Sequence, residues 1–363
     1  MGDEFRLLIS ARDAGAANNL APVARLAAAT PGIHLELVAS APAEQILRAA
    51  GLQPRAIEHD PKNLPDIAQS LLAELQPHAL LVGLSGPDAG IDEALLAQAE
   101  VPSFALQDFW GDVNQGFGAY ADTYLVRDAL AARLTQARSG ARTEITGSPT
   151  QALVPDALVQ QRLARQLRQR LRVPARQPIL LLCSQPLWRQ AGYRETLIDT
   201  LQKLPDGLLL VRPHPRESAG ERALLSRLLR RHCRTRWRFS QAPFPMLLAA
   251  ADLVLSAFSN SGLERVQFNQ RAPSSAGVPV YLLQQPRLRR LFRDWTGLSQ
   301  HPLCTLGAAQ GIERGGLLGP SLQGALRKAA RQHCARAAGQ LPGACSARDI
   351  LILVSAAAKH KLS

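Results

Sequence analysis

The chain has 363 residues, 46% hydrophobic and 20% charged, a balance that excludes a disordered polymer and lets two domains bury a core each. No apolar run reaches the roughly 18 residues of a spanning helix. The opening MGDEFRLLIS has no basic stretch leading into an apolar signal core, so the expected location is cytoplasmic, with peripheral contact to an inner membrane face left open. The formal charge of +13 is uneven: residues 1–150 carry 10 Lys/Arg and 18 Asp/Glu, net −8, leaving +21 for the remainder. The basic part suits a phosphorylated ligand, an anionic polymer or an anionic membrane surface, unless arginine is simply the default surface residue of an Ala/Leu/Arg-rich chain.

Residues 5–10, FRLLIS, read as a strand. They run into a small-residue loop, ARDAGAANNL, whose Gly and Ala let backbone approach a ligand, and then a helix over about 19–29. Further strands are expected at 34–40, 79–83, 103–107, 123–127 and 143–147, with a helix over 42–50. Strands separated by helical stretches at this spacing predict a parallel, doubly wound sheet. A boundary is expected near GSPTQALVPD, residues 147–156. The expected organisation is an N-terminal Rossmann-like domain over 1–150, a linker with a basic helix over 151–175, and a C-terminal Rossmann-like domain over 176–363. Leu158, Leu163, Leu167 and Leu171 suggest the apolar side of that helix, with arginines outside.

The second sheet is expected to start at PILLLCS (178–184) and continue at GLLLVRP (207–213), RTRWRFS (234–240), DLVLSA (252–257) and APSSAGVPVYLL (272–283). Helices are expected over 218–232 and 244–251. Beyond 284 come a basic amphipathic stretch, a loop over 311–320, and helices over 321–338 and 346–360. The five cysteines lack metal-ligand spacing and read as free thiols in a reducing compartment.

Two strands end in chemistry. LLLVRPHPRES breaks at Arg212-Pro213-His214-Pro215, and ADLVLSAFSNSGLE breaks at Ser256 to Ser261. Ligands of open parallel sheets bind at the carboxyl ends of strands, and a helix beginning at Ser261 would favour a phosphate at its amino end. His214 can donate to a phosphate oxygen, and Arg212 or Arg216 can pair with it. The structural alternatives are a turn histidine and simple helix capping by one of Ser256, Ser259, Asn260 and Ser261. Glu264 faces either a ribose or base, or only the first turn of its helix.

These motifs, in order, resemble those of bacterial GT-B glycosyltransferase-like proteins of surface-polysaccharide assembly. ITGSPTQALVPD resembles their interdomain segment, ILLLCSQPLWRQAGYRE the strand and loop opening their nucleotide-binding domain, VRPHPRE their His-Pro motif, and DLVLSAFSNSGLE their Ser-rich motif. The resemblance spans residues 5–285 and implies two doubly wound sheets facing a cleft. It implies a nucleotide-sugar donor of CMP or CDP type, with UDP as an alternative, a glycan or other hydroxyl acceptor, and no nucleic acid. It places Ser184, Gln185, His214 and Ser259 to Ser261 at the donor. Without an Asp-x-Asp motif, no metal and no cofactor are expected. The non-hydrolysing UDP-GlcNAc 2-epimerases are similar in layout, but this chain reads HPRE and SNSG where they carry a His-Arg-Arg-Glu-like segment and a Ser-Gly-Gly run.

An inverting transferase needs a base at the acceptor hydroxyl. Asp108 is the first choice, because it follows a strand and adjoins Phe109 and Trp110, whose apolar bulk raises a carboxylate pKa. Glycerophosphotransferase-like relatives carry a His-Gly there, which this chain replaces with Asp-Phe-Trp-Gly. Asp13, Asp88 and Asp112 are rivals with turn or cap roles as alternatives. Trp110 and Phe117 either stack on a sugar or pack. The competing activities are a sugar-nucleotide 2-epimerase or hydrolase on the same fold, and a non-catalytic protein binding anionic polymer.

Overall fold

Near-continuous Leu/Val/Ile runs of four to seven residues, buried on both faces, are what parallel strands covered by helices require. The computed structural model describes residues 4–84, 86, 89–343 and 346–362, and it has two such sheets. The chain divides into one unit of 1–153 plus 342–363 and another of 154–341.

The first unit runs β1 (Phe5–Ala11), α1 (Ala14–Ala28), β2 (Ile33–Ala39), α2 (Ala43–Ala49), β3 (Arg55–Ala56) and α3 (Leu64–Leu75), then β4 (Ala79–Val82), α4 (Ile91–Gln98), β5 (Ser103–Leu106), β6 (Thr123–Val126), α5 (Ala129–Ser139) and β7 (Arg142–Ile145). Its strand order is β3-β2-β1-β4-β5-β6-β7, every pair parallel. The chain winds outward from β1 to one edge and returns to β4 on the other side of β1, so the topological switch point lies there.

The second unit runs α6 (Ala157–Leu171), β8 (Ile179–Cys183), α7 (Tyr193–Gln202), β9 (Leu208–Arg212), α8 (Ala219–His232), β10 (Arg236–Phe239), α9 (Phe244–Ala250), β11 (Leu253–Ser256) and α10 (Ser261–Arg271). It continues with β12 (Val278–Leu282), α11 (Pro286–Thr296), α12 (Pro302–Thr305), β13 (Gln310–Ile312), α13 (Leu318–Ala325) and α14 (Lys328–Ala338). The order β10-β9-β8-β11-β12-β13 is again all parallel, with the switch point between β8 and β11.

Four expectations need correction. The stretch read as a small-residue loop at 11–20 is the start of α1, because alanine is the strongest helix former and the helix begins directly after Asp13. The loop expected over 311–320 holds the end of β13 and the start of α13, and the single helix over 321–338 is two, α13 and α14. The basic helix expected as part of a linker is α6, built into the second unit: Leu167 is 2% exposed and Leu163, Ala164 and Leu171 pack with the α9 core. Leu158 stands outside that packing at 77% exposure, since five residues from Leu163 turn it roughly 140° off the stripe.

The fourth correction concerns the C-terminus. The helix α15 (Ala347–Leu362) does not complete the second domain. Its Ile350, Leu351 and Val354 are at most 5% exposed and join the core formed by β1, β2 and α1 of the first unit. Burying three such side chains contributes about 1.5–3 kcal/mol each, enough to hold the chain's return. Among the described residues no helix is long and apolar enough to cross a membrane.

Candidate functional site

β9, β8 and β11 are neighbours in the second sheet, so their carboxyl ends lie side by side. They carry Arg212 to Glu217, Ser184-Gln185 and Ser256 to Ser261. The residues singled out from two distant motifs are thereby assembled with a third loop. The fastening residue is Glu217, 3% exposed. Its carboxylate accepts from Ser184 Oγ at 2.7 Å, Trp188 Nε1 at 2.7 Å and the His214 backbone N–H at 2.9 Å. It ties the β8 loop to the β9 loop and fixes the turn that presents His214. Burial raises its pKa, the three donors opposing. Sequence reasoning did not assign Glu217 this role, although its place three residues beyond His214 was the available signal.

His214 is partly buried, and its Nδ1 accepts from the Arg216 backbone N–H at 3.2 Å. That bond leaves the ring proton on Nε2 in the neutral tautomer. Burial, seconded by the Arg216 charge, pulls its pKa down to about 4. At neutral pH His214 is therefore an uncharged Nε2–H donor. Positive charge comes from the arginines: Arg212 donates to the Ala242 carbonyl at 3.0 Å and lies 5.7 Å from the Phe244 ring centre.

The β11 loop is stitched by its own hydroxyls. Ser256 Oγ accepts from Ser259 N at 3.3 Å and Ser259 Oγ from Ser261 N at 3.2 Å. Each accepts one bond and keeps a hydroxyl proton to donate. Gln185 bridges two strand ends, its Oε1 taking the Phe258 N–H at 3.0 Å while its own N–H donates to Tyr193 OH at 2.7 Å. Asn260 precedes α10 without a side-chain cap. Glu264, in the first turn, is pushed up to about 7 by burial, against the pull of Arg212. Gly262 is required here: a β-carbon would lie 2.4 Å from Tyr281 Oη, and Tyr281 is held by stacking on His301 at 3.7 Å between ring centres. Burial pushes the nearby Cys183 thiol up to about 12, which makes it a packing residue rather than a nucleophile.

The first sheet gathers carboxyls at its carboxyl ends. Asp108 is pushed up to about 7 by burial, then by the charges of Asp112 and Asp13, with Arg127 opposing. Asp112 also rises to about 7, chiefly through burial, with the Asn114 backbone N–H lowering it and Glu93 raising it. Glu93, fully buried, accepts from Gly90 N and Asn114 Nδ2 at 2.7 and 3.0 Å. Its neighbour Asp92 accepts from Ser10 Oγ and Arg12 N. Asp13 accepts from Gly86 N at 3.0 Å. Sequence reasoning named Asp13, Asp108 and Asp112 separately. It missed Asp92 and Glu93, whose only sign was a pair of acids opening a helix.

Trp110 packs rather than stacks on a ligand. It is 1% exposed, its Nε1 donates to Asp128 at 2.9 Å, and the Arg127 guanidinium covers its face at 4.7 Å. Phe117 is 40% exposed in a left-handed conformation, φ 58°. Asp88 lies outside the described residues. Among the described residues, no group of three or more His, Cys, Asp or Glu is placed to hold a metal ion.

Two parallel α/β units with strand-end sites define the GT-B class of fold, shared by UDP-GlcNAc 2-epimerases and glycosyltransferases. No protein-family model matches the chain, and neither does any curated protein. Among solved structures, the UDP-GlcNAc 2-epimerase of Neisseria meningitidis bound to UDP-GlcNAc aligns over 99% of this chain and 100% of that one, with TM-score 0.66 and 13% identity. The S. aureus MnaA–UDP co-structure aligns over 96% and 95%, with TM-score 0.70 and 12% identity. The glycosyltransferase VinC in complex with dTDP aligns over 98% and 100%, with TM-score 0.54 and 14% identity. At such identities the likeness establishes the fold.

Proposed function

We propose that this chain is a nucleotide-sugar enzyme, and specifically a glycosyltransferase. The second unit binds a pyrimidine-nucleotide sugar at the carboxyl ends of β8, β9 and β11. His214 Nε2–H and the hydroxyl of Ser259 donate to the phosphate, while Arg212 and Arg216 supply positive charge as the leaving nucleotide gains negative charge. The carrying observation is that residues some 75 positions apart in sequence, Ser184-Gln185, His214-Glu217 and Ser256-Ser261, form one hydrogen-bonded group at the switch point. That UDP, dTDP and UDP-GlcNAc accompany the similar structures supports a nucleotide-linked substrate.

The base comes from the first unit. Asp108, with a pKa near 7, takes the proton of the acceptor hydroxyl at neutral pH, and burial, helped by the charges of Asp112 and Asp13, keeps its pKa in that range. Carboxyl chemistry of this kind needs no metal, and none is invoked. Epimerisation is the second reading. The TM-scores of the epimerase structures, 0.66 and 0.70 against 0.54 for VinC, favour it, whereas His214-Pro215-Arg216-Glu217 departs at one position from a His-Arg-Arg-Glu pattern. Incubation with CMP-, CDP- and UDP-linked sugars separates the two. Release of free nucleotide that depends on a hydroxyl acceptor supports transfer, an isomeric sugar nucleotide formed without acceptor supports epimerisation, and no binding of any of them refutes both.

A further inference from the structure

We infer that the β10 edge of the second sheet, together with the outer face of α8, is a docking surface for an anionic lipid bilayer. The inference is independent of the nucleotide chemistry. The second unit carries 29 Lys/Arg against 10 Asp/Glu, but the excess is not spread evenly. From residue 222 to residue 251 there is no Asp or Glu, and there are seven arginines: Arg222, Arg227, Arg230, Arg231, Arg234, Arg236 and Arg238. All seven are exposed. Among the described residues none of their guanidinium groups forms a hydrogen bond or an ion pair within the protein, unlike those of Arg168, Arg212, Arg265 and Arg289 of the same unit, which are all tied to protein acceptors.

The placement follows from the fold. β10 is the edge strand, in register with β9 so that Arg236 and Arg238 share one face and Trp237 and Phe239 the other. Alternate side chains on a strand stand roughly 6.6 Å apart, so the arginines form a row along the edge. α8, leading into that strand, adds Arg222, Arg227, Arg230 and Arg231. The charge therefore wraps an edge instead of lining a groove. A charge or two is enough to protect an exposed edge from pairing. Seven unpartnered arginines repel one another, and an extended anionic surface relieves that repulsion. On the opposite face of β10 from Arg236 and Arg238 stand two aromatic rings, Trp237 and Phe239, packed edge-to-face at 5.8 Å, with Phe239 37% exposed and Trp237 half-buried. A sheet edge with arginines along one side and a partly exposed aromatic pair on the other suits the headgroup layer of a bilayer, where cations meet lipid phosphates and aromatic rings sit at the interface.

The test is sedimentation of the full chain with vesicles of phosphatidylcholine alone and of phosphatidylcholine with phosphatidylglycerol. It compares the wild type with the triple variant Arg231→Gln, Arg234→Gln, Arg236→Gln. A second triple variant, Arg287→Gln, Arg290→Gln, Arg293→Gln, removes equal charge from the exposed side of α11. The expected result is salt-sensitive binding to the anionic vesicles only, weakened on the order of tenfold or more in the first variant and by much less in the second. Thermal unfolding temperatures within a degree or two of wild type certify the fold of both. Equal losses in the two variants, binding to neutral vesicles, or no vesicle binding would overturn the inference. So would tighter binding to a soluble polyanion such as duplex DNA, lost in the same variant, which would assign the patch to a nucleic acid.

Discussion

Replacing Asp108 by Asn should stabilise the protein, and only above the acid range. In the folded state the Asp108 pKa lies near 7 instead of 3.8. The folded protein thus holds this proton more tightly than the unfolded chain. The associated stability is fully present below pH 3.8 and is lost as pH rises through 7. Moving a pKa across that interval corresponds to about 4 kcal/mol at roughly 1.4 kcal/mol per pH unit. Asp108 is partly exposed to solvent and Arg127 stands nearby, so about 2 kcal/mol is a reasonable penalty for its ionised form. Asn mimics the protonated acid and removes the penalty. For a unit of this size, about 2 kcal/mol corresponds to roughly 4–8 °C in Tm. Thermal unfolding of wild type and Asp108→Asn at pH 4.5 and pH 8.5 should show a higher Tm for the variant at the upper pH and a difference about half as large or smaller at the lower, where the unfolded-state carboxyl has begun to ionise. A difference independent of pH, or a variant less stable at pH 8.5, would refute the burial argument. Transfer activity should fall about 10²- to 10⁴-fold in the same variant.

The other predictions follow from the second unit. Glu217→Ala leaves Ser184 Oγ, Trp188 Nε1 and His214 N without their acceptor and should cost about 2–4 kcal/mol, read by denaturant unfolding. Glu217→Gln should recover part of that and disturb nucleotide affinity more than stability. Since His214 is neutral down to about pH 4 while Glu264 titrates near 7, any change of nucleotide affinity between pH 5.5 and 8 should persist in His214→Gln; a tenfold change on calorimetric titration that disappears in that variant would contradict the neutral state assigned to His214. Gly262→Ala drives a methyl group against Tyr281 Oη and should destabilise by about 1–3 kcal/mol, which a Tyr281→Phe background should partly restore.

Much of this arrangement was legible in the sequence because both halves of the chain put their chemistry where an apolar run stops. The runs ending at Arg212 and Ser256 are strands, and parallel strands turn one end toward ligand, so His214 and Ser259 were marked before their distance was known. That β8 lies between their two strands and brings Ser184 and Gln185 with it was not legible, because a crossover of forty residues leaves no local trace. Glu217 drew no reading of its own in the sequence, and only the fold shows Trp188 and Ser184 converging on it. Trp110 next to Asp108 read equally as a sugar platform or as packing. Its burial depends on Arg127 and Asp128, which arrive from the next strand. The return of α15 to the first unit was invisible for a similar reason: Ile350, Leu351 and Val354 mark an apolar face without naming what it covers.

We propose above that the carboxyl ends of β8, β9 and β11 bind the phosphate of a nucleotide sugar. Calorimetric titration of CMP, CDP and UDP into wild-type protein and into His214→Ala, with Tm measured for both, tests it most directly. Binding of at least one of these nucleotides is expected, weakened about tenfold or more in the variant at an unchanged fold. Equal affinity in a folded His214→Ala protein, or no binding by the wild type, would contradict it.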